Sequence, residues 1–257
     1  MESILFIQCY EIHKVRVEDV CFTENGKYLI SLGGRDDGRI IVWDIENETP
    51  LCSTSIGNES FGNITLIART NVCQTSFMTA GDKTLKLWRI DNYSEIFATT
   101  KHRGPITSLQ VSPDNESLIS SSTDGTCILW NLRNFTRKFM LRGNTMYMAT
   151  CFVPNGVQIL TCGTDRKIAY WETLDGSLVR EIEGSLTGTL NTISISHDGQ
   201  YFLTGSDDSI IKLWEYRTAN TIRLSLAHAA AVTRCVFAPD DTFIVTASAD
   251  GAIMIWK

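Results

Sequence analysis

Hydroxyl, imidazole and carboxylate side chains recur together in this chain at a fixed spacing. Two sets of three residues have this spacing, His102–Ser120–Asp124 and His228–Thr246–Asp250. A hydroxyl beside an imidazole and a carboxylate is the arrangement that serine hydrolases use for nucleophilic catalysis. The first chemistry to weigh is therefore hydrolysis or acyl transfer by an activated hydroxyl.

A tryptophan stands six residues after each of these two aspartates, and the same pair occurs six times. The pairs are Asp37–Trp43, Asp82–Trp88, Asp124–Trp130, Asp165–Trp171, Asp208–Trp214 and Asp250–Trp256. Successive tryptophans are 45, 42, 41, 43 and 42 residues apart. A period near 42 with a fixed offset indicates one supersecondary unit copied six times.

The tryptophans give the hydroxyls a structural role. A buried indole N–H must have an acceptor, and Ser120 and Thr246 can supply it. Thr161 and Thr204 occupy the same position in repeats four and five, which lack the histidine. A constellation that recurs with gaps is typical of structural bonding, so we predict no catalytic residue. The remaining histidine, His197, is predicted to be an exposed turn residue.

The elements that position these residues are short strands. Residues 228–256 contain three apolar runs separated by the turn sequences APDD and SADG, which is typical of an all-β fold. The dipeptides Asn25-Gly26, Asn155-Gly156 and Asp198-Gly199 favour tight hairpins. Further runs at 135–141 and 221–226 predict a fourth strand in each repeat, and no segment shows a helical period.

One four-stranded antiparallel sheet has two open faces and two open edges, so it needs neighbours. Radial stacking of about six such blades predicts a single β-propeller over residues 1–257. The expected repeats are 13–56, 57–100, 101–142, 143–183, 184–227 and 228–257 with 4–12.

The two ends of the chain predict how the ring closes. The last repeat ends one residue after its third strand, at Lys257, and residues 4–12 have strand composition. We expect this N-terminal strand to close the last blade, which would remove a free edge.

The second repeat is the most divergent. It lacks the histidine, and its turn is shortened to TAGDKT. The polar stretch 47–63 that precedes it is predicted to be a long loop, interpreted as slack rather than as a binding element.

Composition excludes several functions. A net charge of −6 offers no basic face for nucleic acid, and no stretch resembles a membrane span or a secretory signal. The eight cysteines form no CxxC pair or zinc spacing, so they are expected to be small buried hydrophobes in a reducing compartment. We predict no metal, no cofactor and no small-molecule substrate.

The repeat resembles the WD40 repeat, which typically has Gly-His early and Trp-Asp late. Only Trp43-Asp44 is a literal WD pair, and the histidine is present in repeats one, three and six as His13, His102 and His228. The resemblance implies that the turn aspartate, the histidine, the strand hydroxyl and the tryptophan form one hydrogen-bonded set.

Longer segments are similar to the cilia- and flagella-associated protein 52 family, also called WD repeat-containing protein 16. The most specific segment is residues 163–188, and residues 31–45, 77–90, 122–132 and 248–257 also resemble it. Members of that family have two tandem propellers. In this chain, repeats one and two resemble the first propeller, and repeats three to six resemble the end of the second propeller. The junction between these two parts falls near Thr100–Lys101. The chain therefore resembles a shortened member.

The resemblance implies a structural, non-catalytic role in the ciliary or flagellar axoneme, as a microtubule inner protein that contacts tubulin and other inner proteins. It implies a location in the cytoplasm and the cilium. Two alternatives stay open. One is a generic cytosolic adaptor, such as a ubiquitin-ligase substrate receptor or a signalling scaffold, and the other is a propeller enzyme with its active site at the central channel.

Overall fold

The computed structural model describes most of the chain. The described residues are 12–14, 16–23, 26–34, 37–55, 64–70, 76–89, 95–99, 101–226 and 228–257. Within these ranges every regular element is a β-strand, which confirms the all-β prediction. No helix there is long and apolar enough to cross a membrane.

The strands form six antiparallel sheets, counted over the described ranges. The first three sheets consist of β1 (Val17–Phe22), β2 (Tyr28–Gly33), β3 (Arg39–Asp44), β4 (Thr49–Ser55); β5 (Ile64–Thr70), β6 (Ser76–Gly81), β7 (Thr84–Arg89), β8 (Glu95–Thr99); and β9 (Ile106–Val111), β10 (Ser117–Ser122), β11 (Thr126–Asn131), β12 (Thr136–Arg142). The last three consist of β13 (Tyr147–Phe152), β14 (Gln158–Gly163), β15 (Lys167–Glu172), β16 (Leu178–Glu183); β17 (Leu190–Ile195), β18 (Tyr201–Ser206), β19 (Ile211–Glu215), β20 (Thr221–Ser225); and β21 (Val232–Phe237), β22 (Ile244–Ser248), β23 (Ile253–Trp256).

The sheets are the blades of a β-propeller, numbered one to six in chain order. Each blade is a meander whose first strand lies innermost, and the first strands of successive blades are neighbours. Hairpins with positive φ at Gly156 and Gly199 join the first two strands of blades four and five, because glycine accepts this conformation without strain. The six-bladed propeller prediction is thus confirmed.

The hydrophobic core lies between blades. Between blades three and four, Ile119 and Leu129 pack against Phe152, Ile159 and Trp171. The same face-to-face packing joins blades four and five, and blades five and six. At about 25 cal/mol for each Å² of apolar surface removed from water, burial between blades is the main stabilising term.

The prediction of a loop over residues 47–63 is wrong for part of that range. Residues Thr49–Ser55 form β4, the outer strand of blade one, which pairs with β3. The stretch is polar because an outer strand needs no apolar face on its solvent side. Its composition therefore gave no sign that its backbone pairs with β3. Residues 56–63 lie outside the described residues.

Four of the five cysteines whose side chains are described follow the expectation of burial, and Cys21 is only partly buried. Cys127, Cys151, Cys162 and Cys235 are buried and unbridged, and burial raises the pKa of each thiol because the thiolate would lose hydration. They behave as small hydrophobes.

Blade six differs from the others on one face. Val236, Ile253 and Ile255 are exposed, with Ile253 at 73%, whereas Cys151, Ile168 and Tyr170 in the matching positions of blade four are buried. An apolar groove of about 430 Å³ also opens beside β23, lined by Leu213, Ile222, Ile244 and Trp256 among others. The groove lies where a fourth strand of this blade would pack, whereas the three exposed side chains lie on the face that in blade four packs against blade five.

The N-terminal strand expected to fill this place, residues 4–12, lies almost wholly outside the described residues. It remains a proposal. Its sequence ILFIQCYEI carries apolar side chains at successive positions, so a strand formed by it could present apolar groups to both the groove and Ile253.

Deletion of residues 1–12 is expected to lower the melting midpoint by on the order of 10 °C, because several apolar side chains would lose their cover. Differential scanning calorimetry of the truncated and complete chains measures this. An unchanged midpoint would refute closure by the N-terminal segment.

Candidate functional site

Each blade holds its tryptophan indole against a hydroxyl on the second strand. The two residues lie on the same face of the sheet in neighbouring strands, as the pairing of Leu118 with Trp130 and of Ser120 with Ile128 shows. The Nε1–Oγ distances are 2.8–2.9 Å, and the bonds are Trp43–Ser31, Trp88–Thr79, Trp130–Ser120, Trp171–Thr161, Trp214–Thr204 and Trp256–Thr246.

Two of these hydroxyls, Ser31 and Thr79, were missed by the sequence reasoning. In four blades the hydroxyl precedes the tryptophan by ten residues, but the separation is 12 for Ser31 and nine for Thr79. The turn between the two strands is longer in blade one and shorter in blade two, so a fixed offset fails there. A search for a hydroxyl within two residues of the usual offset would have found both.

Blades one, three and six extend the bond into a four-membered set. The histidine Nε2 lies 2.7 Å from Ser31 Oγ in blade one, and 2.8 Å from the hydroxyl in blades three and six. The histidine Nδ1 lies 2.5 Å from Asp37, 3.4 Å from Asp124 and 3.2 Å from Asp250. The set therefore links the loop before a blade, its second strand, its turn and its third strand.

The aspartates also hold the loop through the backbone. The N–H groups of Lys14, Arg103 and Ala229 donate to Asp37, Asp124 and Asp250 at 2.7–3.2 Å. These backbone bonds fix the residue that follows each histidine.

In blade three, the pKa shifts favour a neutral His102 imidazole beside an ionised Asp124 carboxylate. Burial lowers the pKa of His102, although the nearby Asp124 acts in the opposite direction. Burial alone would raise the pKa of Asp124, but hydrogen bonds from Thr126 and Arg103 bring it below its ordinary value. Hydrogen bonds from the backbone of Ala252 and Ala229 lower the pKa of Asp250 to about 2.

This arrangement does not expose a nucleophile. Ser120 and Thr246 are fully buried, and each hydroxyl already bonds an indole and an imidazole. A substrate carbonyl could not reach these oxygen atoms without opening the blade. The chemistry available to the sets is therefore hydrogen bonding that joins strands.

Blade five replaces the histidine with hydroxyls. Ser185 Oγ and Thr187 Oγ1 donate to Asp208 at 2.7 and 3.1 Å, and Ser206 also bonds this carboxylate. The turn aspartate thus keeps its role of holding the preceding loop. In the sequence EGSLTG, the hydroxyl residue Ser185 stands one residue before the usual histidine position.

Blade four has no side chain at the histidine position. Gly143 stands there, and Tyr147 Oη lies so close that a Cβ on Gly143 would approach it to 2.4 Å. A cavity of about 100 Å³ remains beside Tyr147 and Thr161. Asp165 accepts a bond from the Lys167 N–H at 3.2 Å, so it closes its own turn.

In blade two, Asp82 forms no comparable set with the residues that the structure describes, which leave out 56–63. Asp82 lies exposed in a tight turn with φ of 43°, while Trp88 still bonds Thr79. The six-residue spacing between aspartate and tryptophan therefore makes blade two look more similar to the other blades than it is.

His197 is exposed, as predicted, and it also joins two blades. Its Nδ1 and its backbone N–H both lie 3.0 Å from Asp241 Oδ1, in the first turn of blade six. Asp198 N–H donates to the other oxygen at 3.1 Å. Spacing within one repeat could not reveal this contact, because it connects different repeats.

No metal centre is found over the described ranges, where no three His, Cys, Asp or Glu side chains are grouped for one ion. The fold and the bonding sets thus define a class of protein. The family model of the WD domain, G-beta repeat, matches residues 5–44, 94–131, 176–215 and 220–257. The chain belongs to the WD40-repeat family, whose propellers typically act as non-catalytic scaffolds.

Individual relatives are more specific. The chain is 37% identical over 238 residues to cilia- and flagella-associated protein 52 of Bos taurus, covering 92% of this chain and 38% of the relative. It is 36% identical to the Homo sapiens protein of that name over the same shares. It is 29% identical to the one from Chlamydomonas reinhardtii over 96% of this chain and 41% of that relative. The chain thus spans about two fifths of the length of these relatives.

His102 makes stability depend on pH. The unfolded chain binds the proton near the ordinary histidine pKa of about 6.5, whereas burial lowers the folded pKa. The unfolded state therefore binds more protons below about pH 6.5, so stability falls as the pH drops from there towards the folded pKa.

His102→Gln is expected to weaken this loss of stability between about pH 7 and pH 5. It should also lower the free energy of unfolding at pH 7 by about 1–2 kcal/mol, because bonds to Ser120 and Asp124 are lost. Urea unfolding across the range measures both effects, with Lys101→Gln on the exposed neighbour as control. Equal pH slopes in the variant and the wild type would contradict the assignment.

Proposed function

We propose that this protein is a non-catalytic interaction scaffold of the ciliary or flagellar axoneme. The observation that carries the proposal is the similarity over 92% of the chain to proteins named cilia- and flagella-associated protein 52. The matched region contains the blades and their bonding sets, so the likeness reaches beyond one motif.

The geometry supports a scaffold rather than an enzyme. The hydroxyl, imidazole and carboxylate groups are used within the blades, while the loops and turns at the blade ends are exposed. A rigid ring with exposed loops presents a fixed surface to other proteins. The role is thus to hold partners in place.

The partners are proposed to be tubulin and other microtubule inner proteins, with the chain bound inside doublet microtubules. Its location would then be the cilium and, before assembly, the cytoplasm. A structural element of this kind supports motility by stabilising the microtubule wall rather than by turning over a substrate.

Purified protein is expected to sediment with doublet microtubules from cilia that have been stripped of loosely bound proteins by salt. Microtubules polymerised from purified tubulin are the second probe. Sedimentation with both would assign tubulin as a direct partner, and sedimentation with doublets alone would assign another inner protein. Protein that stays in the supernatant in both cases would contradict the axonemal role and favour a cytosolic adaptor.

A further inference from the structure

Two apolar side chains stand exposed on neighbouring loops at one end of the propeller. Met146 lies in the loop before blade four and is 54% exposed, and Leu186 lies in the loop before blade five and is 83% exposed. Loop residues of a soluble surface are usually polar, so a pair of large apolar groups on adjacent loops is a candidate contact surface.

The turn of blade four joins these two loops. Thr164 N–H donates to the Met146 carbonyl at 3.1 Å, and Arg166 Nη1 donates to the Leu186 carbonyl at 2.6 Å. The Arg166 carbonyl accepts from Gly184 N–H at 2.8 Å. These bonds hold Met146, Arg166 and Leu186 as one surface, here called the 146–186 rim.

Arg166 adopts a backbone conformation that glycine fits better. Its φ is +66°, and the corresponding turn residues of blades three and six are Gly125 and Gly251, both with φ of +82°. A non-glycine residue in this region is strained. An arginine kept at a strained and exposed position suggests that its side chain is used.

The charges around the rim are complementary to an acidic partner. Arg103, Arg142 and Arg166 are exposed, and over the described ranges none has a carboxylate within ion-pair distance. The turn carboxylates Asp124 and Asp208 instead accept hydrogen bonds from their own blades. The Arg103 N–H donates to Asp124, and the N–H of Gly143, next to Arg142, donates to the Gly125 carbonyl. Both segments therefore lie against the turn of blade three, at the same end of the propeller as the 146–186 rim.

We propose that the 146–186 rim docks a protein segment that carries carboxylates on either side of an apolar side chain. The apolar group would pack between Met146 and Leu186, and the carboxylates would pair with Arg166 and its neighbours. The exposed apolar pair favours a protein over nucleic acid, because a phosphate backbone would leave both side chains uncovered. The inference rests on the proposed scaffold function and names the surface and the partner chemistry.

The probe is a fluorescein-labelled peptide in which glutamates flank leucine, measured by fluorescence anisotropy. Its counterpart has lysine in place of glutamate, and a single-stranded oligonucleotide is the third probe. The acidic peptide is expected to bind, and added salt should weaken binding because the charges are exposed. Leu186→Ser should also weaken it by removing the apolar contact without adding a charge.

Arg166→Gly separates binding from folding. Glycine relieves the backbone strain, so the variant should melt at or about 1–3 °C above the wild type, yet bind the acidic peptide about tenfold more weakly. Ser209→Gly is the matched control, because Ser209 has φ of +66° in the same turn of blade five and carries no charge. It should gain similar stability and keep wild-type affinity.

Equal binding of the acidic and lysine peptides would overturn the inference, as would equal affinity of Arg166→Gly and wild type. Tighter binding of the oligonucleotide than of the acidic peptide would overturn it in favour of nucleic acid. These results are independent of sedimentation with doublets, so failure of the rim and failure of the axonemal role are distinguishable.

Discussion

The hydrogen bond from a buried indole to a strand hydroxyl is the constraint on which every blade depends. It occurs in all six blades at 2.8–2.9 Å, whereas the histidine occurs in three. In blades two to six the indole ring packs against the preceding blade. In every blade its N–H lies at the second strand, so an unsatisfied donor there would cost about 1–3 kcal/mol. The bond thus couples the packing of adjacent blades to the register of strands within one blade.

The histidine and aspartate add a second level, which joins one blade to the loop that precedes it. Because Ser185 and Thr187 replace the histidine in blade five, the requirement is for donors to the turn carboxylate rather than for an imidazole. Blade four has neither the histidine nor these two hydroxyls, and a small cavity remains beside Tyr147. The loops that differ in this way are also those that carry Met146 and Leu186, so divergence of the bonding set and exposure of apolar groups occur in the same place.

The sequence predicted the features that are local and periodic. The spacing of tryptophans identified six blades, and the hydroxyls Ser120, Thr161, Thr204 and Thr246 were found because their turns have similar lengths. The strand Thr49–Ser55 was missed because an outer strand is stabilised by backbone pairing, which leaves no hydrophobic pattern. The bond between His197 and Asp241 was missed because contacts between repeats depend on three-dimensional placement.

The six indole N–H groups are hydrogen-bonded to strand hydroxyls inside equivalent blades. Hydrogen exchange of the indole N–H signals, followed by NMR with ¹⁵N-labelled tryptophan, tests it most directly. The account predicts six protected signals, with Trp88 and Trp256 exchanging fastest because they are only partly buried. Exchange of Trp130 or Trp214 at the rate of a free indole would contradict it, because a strand hydroxyl could not then be holding the ring.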